Sequence, residues 1–289
     1  MDTKEYLLFM DVSGDVMQNY IEDKKVELVP MEFIINGESR LYTGKPDGID
    51  VVEFYKHVKA RADIKTTQIT PAIYEEFFEP YLSNGKSALY LCLSSGLSST
   101  FQSACAAAKN LKEKYPDTEL LVVDTLRATA CTGILCEKMI ENYENGMALR
   151  DNYYDLEVFK YKLDACACVD DLNALQRGGR IGKGAAIIGT MLDIKPLITF
   201  TPDGKLRNWG KQRGLKLSIK KLVEFYMQNA DLNDTRPLYI CHADELRNAE
   251  ELAAKVKEAN PNCQIKIRLL SPIIGAHLGP GAVVLGYVK

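Results

Sequence analysis

The sequence lacks the short motifs by which many nucleotide-binding and hydrolytic enzymes are identified. It contains no GxxxxGK[ST] phosphate loop, and neither Gly182-Lys183-Gly184 nor Gly279-Pro280-Gly281 extends to the GxGxxG of dinucleotide-binding domains. It also contains no GxSxG and no HExxH. These absences argue against ATP binding by this chain itself, and against the common serine hydrolase and zinc protease sites.

Metal-binding and nucleic-acid-binding patterns are also scarce. The three histidines, His57, His242 and His277, are too few for an all-histidine metal centre, and the eight cysteines include no CxxC. Most cysteines lie inside apolar runs, which predicts reduced core residues. The formal net charge is −3, and no basic run stands out. We therefore expect no metal, no cofactor and no nucleic-acid partner.

One uncharged stretch has the length of a membrane span, namely residues 269–288. Pro272, Pro280 and four glycines interrupt it, so it predicts a buried strand, a glycine-rich loop and a second strand. The N-terminal residues show no basic region and only a short apolar stretch. We expect no stable membrane insertion and a cytoplasmic location.

Alternating strand and helix patterns indicate an α/β fold, and 289 residues are enough for two domains. Strands are predicted at 6–11, 87–94 and 119–124, and the second runs straight into a helix from residue 95. Such units are typical of a parallel sheet with helices on both faces, a three-layer arrangement. From about residue 164 the pattern changes to a mixed sheet with helices on one face. We therefore predict two α/β domains, 1–163 and 164–289.

Local signals place further elements in the first half. Residues 26–36, the pair Asn36-Gly37 and the segment after it predict a hairpin. Asp50 is a plausible N-cap for a helix reaching residue 62, and Pro71 is typical of the first position of another helix.

Hydroxyl-rich loops follow several of the predicted strands. Taken singly, serine and threonine at helix starts are usually caps. Taken together, hydroxyls and free backbone N–H groups beyond the carboxyl ends of parallel strands are typical of a site for an anion, a carboxylate or a phosphate. The four loops are residues 11–15, 66–70, 93–104 and 124–130.

His277 and two basic clusters have alternative interpretations. His277 is either a core histidine bonded to backbone or a donor to the bound anion, and the neighbouring glycines, which permit close backbone approach, favour the donor. The clusters at 177–184 and at Lys211, Arg213 and Lys216 are either solvated surface or contacts to an acidic partner or a phosphate.

Seven sequence elements in order resemble the DegV family of bacterial fatty-acid-binding proteins and span nearly the whole chain. They are D-x-S-x-D (Asp11, Ser13, Asp15), Thr66-Thr67-Gln68, SSGLSSTFQSA at 94–104, DTLRA at 124–128, DDLNALQRGGRI at 170–181, LDIKPLI at 192–198, and IIGAHLGPGA at 273–282. The chain departs from the family pattern at Thr67, which is commonly serine, at Ser99, which is often glycine, and at Thr129 and Cys131.

The resemblance implies two α/β domains with a long lipid pocket between them. It implies a protein, not itself catalytic, that binds one long-chain fatty acid and presents the carboxylate to a separate ATP-dependent fatty-acid kinase subunit, which forms an acyl phosphate. The implied carboxylate ligands are Thr66 or Thr67, Ser94 or Ser95, and His277, and the implied kinase-docking residues are Arg180 and Arg213.

Energetic reasoning agrees with a lipid ligand. Each buried methylene contributes roughly 0.8 kcal/mol, so about fourteen contribute on the order of 11 kcal/mol before ordering costs. A hydrogen bond to the carboxylate adds only about 1.5–3 kcal/mol. We expect affinity to come from the tail and orientation from the hydroxyls, with residues 185–192 and 269–274 lining the tunnel.

Two other functions stay open from the sequence. One is a transferase or hydrolase, with Ser95 as nucleophile and His277 as base, or with His277 as a covalent or phospho-accepting residue. The other is a structural role without a ligand.

Overall fold

The computed structural model describes residues 5–45, 49–170, 172–182 and 193–289, which form three β-sheets with helices packed on them. The strands are β1 (Tyr6–Asp11), β2 (Glu27–Val29), β3 (Met31–Ile35), β4 (Glu38–Tyr42), β5 (Ile64–Thr66), β6 (Ser87–Cys92), β7 (Leu120–Asp124), β8 (Leu163–Cys168), β9 (Ile194–Phe200), β10 (Leu206–Arg213), β11 (Leu238–His242), β12 (Ile265–Leu269) and β13 (Val283–Val288). The helices are α1 (Gln18–Glu22), α2 (Val51–Lys59), α3 (Pro71–Ser83), α4 (Thr100–Lys114), α5 (Thr129–Glu144), α6 (Leu149–Phe159), α7 (Asn173–Arg177), α8 (Leu215–Asn229), α9 (Leu246–Ala259) and α10 (Pro272–Leu278), with a 3₁₀ turn at Lys160–Lys162.

The first sheet is parallel and has helices on both faces, as predicted. Its strand order is β2-β1-β6-β7. Alternate side chains of β1 point to opposite faces. The ring of Tyr6 packs edge-on against Tyr143 of α5, with ring centres 4.9 Å apart, and the ring of Phe9 packs against Phe78 of α3 at 5.1 Å.

Two boundary predictions in this half were wrong. Residues 26–36 form two strands separated by Pro30: β2 pairs with β1, whereas β3 joins β4 and β5 in a small antiparallel sheet. A proline has no N–H to donate to a ladder, so the chain changes sheets there. The second error is α4, which begins at Thr100 rather than at residue 95, and leaves residues 93–99 as a loop beyond β6.

The turn and cap predictions are confirmed. Asn36 and Gly37 adopt φ values of 51° and 87° between β3 and β4, as a tight hairpin turn requires. The carboxylate of Asp50 accepts a hydrogen bond from the Val52 N–H at 2.8 Å, and α3 begins at Pro71. Helix α2 ends at Lys59, earlier than predicted.

The second large sheet is mixed, with the order β10-β9-β8-β13-β11-β12. Helices α8 and α9 cover one face, where Cys166, Leu222 and Leu252 share a core. The other face packs against the first half of the chain. A Cβ atom at Gly286 would lie 2.6 Å from the Ala130 side chain, so this glycine permits the close approach of α5 to β13.

The chain passes directly from the first half into this sheet, since the 3₁₀ turn at Lys160–Lys162 is followed at once by β8. One cluster of buried apolar side chains runs from the first half onto the inner face of the mixed sheet, from Phe9 and Leu91 to Ala167 and Ile198. The two parts of the chain therefore share a core. The division into domains 1–163 and 164–289 remains a proposal.

The prediction for residues 269–288 was partly wrong. The two flanking strands are present as β12 and β13, but the glycine-rich loop is helix α10. Pro272 occupies its first turn, where a missing N–H costs nothing, and Gly279 ends it with a φ of 75°. No helix in the described ranges is long and apolar enough to cross a membrane.

Candidate functional site

A cavity lies between the parallel sheet, the small sheet and the inner face of the mixed sheet. Its volume is about 70 Å³. Both halves of the chain line it, with Met31 and Leu97 from the first half and Ile198, Phe200 and Ile274 from the second.

Strand β8 makes room for this cavity. Ala165 and Ala167 belong to the core on the cavity side, whereas Cys166 and Cys168 belong to the core under α8. This follows from the twofold alternation of side chains along a strand. Small side chains on the inner side leave space that larger residues would fill.

Three polar residues form a cluster on the cavity wall. The Oγ1 of Thr66 lies 2.8 Å from the Nε2 of His277. Arg180 donates through Nε to the Leu97 carbonyl at 2.9 Å and through a terminal nitrogen to the Gly178 carbonyl. These bonds hold the guanidinium and leave part of its five N–H donors for a ligand.

The ring of His277 packs closely on the chain beside Arg180. A Cβ atom at Gly178 would lie 2.9 Å from the Nδ1 of His277, so the close packing depends on glycine there. The motif RGGR therefore places both an arginine and a compact backbone against the histidine.

The electrostatics of this cluster suit an anion. Burial and, secondly, the nearby Arg180 lower the pKa of His277 to about 4, so its imidazole is neutral at pH 7. Burial also lowers the pKa of Arg180, a group that stays charged at neutral pH. None of the described residues that line the cavity is acidic. The positive charge thus has no carboxylate partner in the wall.

Three of the predicted hydroxyl loops supply further lining residues, namely Thr67, Ser98 and Thr129. Thr67 lines the cavity, and its hydroxyl donates to the Glu32 carboxylate at 3.1 Å. Ser98 also lines it, with its Oγ 2.8 Å from the Thr100 Oγ1. The motif contained Ser98, but sequence reasoning did not single it out, because five serines lie in that loop.

Ser94 and Ser95 are not among the residues that line the cavity. The Oγ of buried Ser94 donates to the Gly204 carbonyl at 2.8 Å, and the Ser95 N–H donates to Asp124 at 3.1 Å. A Cβ atom at Gly204 would lie 2.2 Å from the Ser94 Oγ, so the turn between β9 and β10 packs tightly on this loop. Ligand roles for both serines stay predictions.

The remaining predicted residues lie in other places. Arg213 is exposed at the end of β10, outside the cavity lining, and its docking role stays a prediction. Ile273 and Ile274 line the cavity, but Leu269 and Leu270 do not. Residues 185–192, expected to line the tunnel, lie outside the described residues.

The loop at 11–15 does not line the cavity but forms hydrogen bonds to segments that do. Buried Asp11 accepts hydrogen bonds from Ser13, Tyr90 and the Leu93 N–H, the last at 2.6 Å. Its carboxylate thereby holds the loop beyond β6.

Asp15 connects two walls of the cavity. It accepts from the Thr129 hydroxyl and, at 3.1 Å, from the Ser271 N–H just before α10. Burial raises the pKa of Asp15 to about 6. Thr129, which lines the cavity, has a φ of 49°, a conformation rare for a β-branched residue. The hydrogen bond to Asp15 holds this strained residue in place and so fixes the wall.

The protonation of His277 is a first testable consequence. In the free protein its pKa is expected near 4 rather than 6.5. Replacing Arg180 by Gln should raise it, because a neighbouring positive charge disfavours the imidazolium. A bound carboxylate should raise it too, so affinity for an ionised acid should increase as the pH falls through the pKa of the complex toward that of the free protein.

Histidine ring NMR measures this directly, and His277→Gln identifies the signal among three histidines. A free-protein pKa near 6.5 that neither Arg180→Gln nor ligand changes would contradict the described electrostatics.

Comparisons with known proteins agree with the architecture. The family model described as "Uncharacterised protein, DegV family COG1307" matches residues 7–289. A DegV domain-containing protein of Clostridium perfringens is 31% identical over 286 residues, covering 99% of this chain and 98% of that protein.

Solved structures share the fold over almost the whole chain. The structure described as fatty acid binding DegV family protein SAG1342 from Streptococcus agalactiae has a TM-score of 0.83 at 25% identity, covering 98% of both chains. The Fatty Acid Kinase (Fak) B3 protein of Streptococcus pneumoniae, loaded with linoleic acid, has a TM-score of 0.84 at 18% identity, covering 98% of this chain and 99% of that one. The family match and the near-full-length similarity show that this chain belongs to the DegV family.

Proposed function

We propose that the protein binds one long-chain fatty acid in the cavity and presents its carboxylate to a separate ATP-dependent kinase subunit for acyl-phosphate formation. The observation that carries this proposal is an apolar cavity whose polar cluster contains Arg180 and neutral His277 but no acidic lining residue among those described. The apolar lining matches an acyl tail, and the positive charge of Arg180 matches a single carboxylate.

Arg180 supplies the charge for the carboxylate, and the pair Thr66 and His277 supplies directional hydrogen bonds. A charged hydrogen bond contributes about 1.5–3 kcal/mol, so these residues orient the head while the tail provides most of the affinity. Relatives described as fatty-acid-binding, one of them as a fatty acid kinase protein, support the same assignment.

The kinase step requires little chemistry from this chain. The carboxylate oxygen attacks the γ-phosphorus of ATP held by the kinase subunit, and the bond to the ADP oxygen breaks. Because phosphoryl transfer depends mainly on position and on charge stabilisation, a carrier needs only to hold the head group steady. We therefore propose that the chain is not catalytic by itself.

A covalent enzyme is the less supported alternative. His277 Nε2 lies within hydrogen-bond distance of Thr66, and the structure records no hydrogen bond between His277 and Ser95. A serine nucleophile would need its base within about 2.6–3.2 Å, although such contacts lengthen in unliganded sites. An intact-mass increase after incubation with a long-chain ester or a phosphoryl donor would favour the enzyme.

The carrier proposal is tested by separating head-group from tail recognition. Arg180→Gln and Thr66→Val are each expected to weaken hexadecanoate binding about 10- to 100-fold, because a buried carboxylate loses a donor worth about 1.5–3 kcal/mol. The same variants should change hexadecanol binding by less than about threefold, since the alcohol carries no charge. Titration calorimetry with both ligands measures the difference.

Arg213→Gln is the control, because that side chain is exposed and outside the cavity lining. It should leave both affinities unchanged and reduce only turnover with the kinase. Equal losses for the acid and the alcohol in the cavity variants would show that Arg180 and Thr66 serve the fold and not the head group.

A further inference from the structure

A second groove lies on another side of α10. It is lined by Arg61 beyond the end of α2, by Arg177 of α7, and by Ala276, Gly279 and Pro280 around the end of α10. His277, which lines the fatty-acid cavity, lies between two of these residues in sequence. The basic groove and the cavity are thus lined by different residues of the same short helix.

The two arginines carry the unneutralised charge of the basic groove. Neither has a carboxylate within 4.0 Å in the part of the chain that the structure describes, and both are exposed. The groove's other charged side chains each pair with an opposite charge within 3 Å: Lys59 with Asp244, Asp63 with Lys65, and Asp170 with Lys195. Among the described residues, Arg61 and Arg177 are therefore the charged side chains of this groove that have no oppositely charged partner within 4.0 Å.

Arg61 occupies a position that normally favours glycine. Its φ is 57°, and α2 ends in a Schellman motif in which the Arg61 N–H donates to Val58 and the Ala62 N–H to His57. An arginine in this left-handed conformation is less favourable than glycine. A glycine at this position would therefore remove the guanidinium and relieve the backbone.

We infer that the basic groove docks an acidic segment of the protein partner that acts on the bound fatty acid. The two unpaired arginines favour a partner bearing aspartate or glutamate side chains, and the position beside α10 brings that partner to the helix that carries His277. The identity of the partner as the kinase subunit rests on the proposed function.

The strained position allows a test that separates binding from folding. Arg61→Gly removes the guanidinium and relieves the backbone, so the variant should fold with an unchanged or higher Tm. Its affinity for the purified kinase subunit from the same genome should fall about threefold to fivefold, the upper range for an exposed ion pair. Arg61→Gly combined with Arg177→Gln should lose about tenfold or more and show a weaker salt dependence.

Lys24 provides a matched control. It is an exposed cation with a φ of 54° in the same motif at the end of α1, where the Lys24 and Lys25 N–H groups donate to Ile21 and Tyr20. Lys24→Gly removes equal charge and equal strain away from the groove, so it should leave kinase affinity unchanged. Lys220→Gln on α8 is the corresponding control for Arg177→Gln.

Fatty-acid affinity is measured on every variant, because it distinguishes failure of the groove inference from failure of the proposed carrier function. If the wild-type protein binds hexadecanoate and supports acyl-phosphate formation, but the double variant equals it in kinase affinity and salt dependence, the groove inference is overturned and the carrier function stands. If the wild-type protein does neither, both are overturned. A selective loss of kinase affinity with hexadecanoate binding retained supports the inference.

Discussion

Replacing Ala167 by Phe is expected to lower hexadecanoate affinity by about a hundredfold and to shift preference toward shorter acids. Ala167 lies on the cavity side of β8 and leaves space there. A benzyl side chain would displace roughly three to five methylenes, each contributing about 0.8 kcal/mol. Titrations with acids of eight to eighteen carbons measure both effects.

The neighbouring residue Cys168 supplies the control for Ala167→Phe. Its side chain belongs to the core under α8, on the opposite face of the same strand. Cys168→Leu should destabilise the fold by overpacking, at a cost of about 1–3 kcal/mol, but should leave the chain-length preference unchanged. An Ala167→Phe variant that binds all acids like the wild type would show that the tail does not run along β8.

Replacing Asp11 by Ala is expected to lower the free energy of unfolding by about 3–5 kcal/mol, because several buried donors lose their acceptor. Those donors are Ser13, Tyr90 and the Leu93 N–H, and Asp11 is fully buried. Since whole-domain stabilities are about 5–15 kcal/mol, this is a large loss. Urea unfolding followed by circular dichroism measures it.

Glu22→Ala is the control for Asp11→Ala, since this exposed carboxylate on α1 should contribute within about 0.5 kcal/mol. Asp11→Asn should lose less than Asp11→Ala, because the amide oxygen still accepts from part of the donor set. Equal stability of Asp11→Ala and the wild type would show that the loop beyond β6 is held by other contacts.

Local signals in the sequence predicted most elements of the fold. Asn36-Gly37, Asp50 and Pro71 determine turns and caps through their own backbone or side-chain chemistry, which needs no distant partner. Helix α10 was missed because glycine and proline in PIIGAHLGPG argue against a long helix. The structure instead uses Pro272 at the start and Gly279 at the end of a short one.

The site was less predictable than the fold, because it depends on which parts of the chain meet. Thr66 and His277 are 211 positions apart, and only the packing of α10 near β5 brings them to 2.8 Å. The loop at 93–99 offers Ser94, Ser95 and Ser98, but only Ser98 lines the cavity. Which hydroxyl faces inward depends on where α4 begins, and periodicity placed that start about five residues too early.

The most direct test of the central claim is native mass spectrometry of the full chain purified from a bacterial host without added lipid. The carrier account predicts a one-to-one complex with a long-chain fatty acid, which organic extraction removes and which added hexadecanoate or octadecenoate restores. The account would be contradicted if the purified protein showed only the bare chain mass and if the extracted protein bound neither acid when it was added.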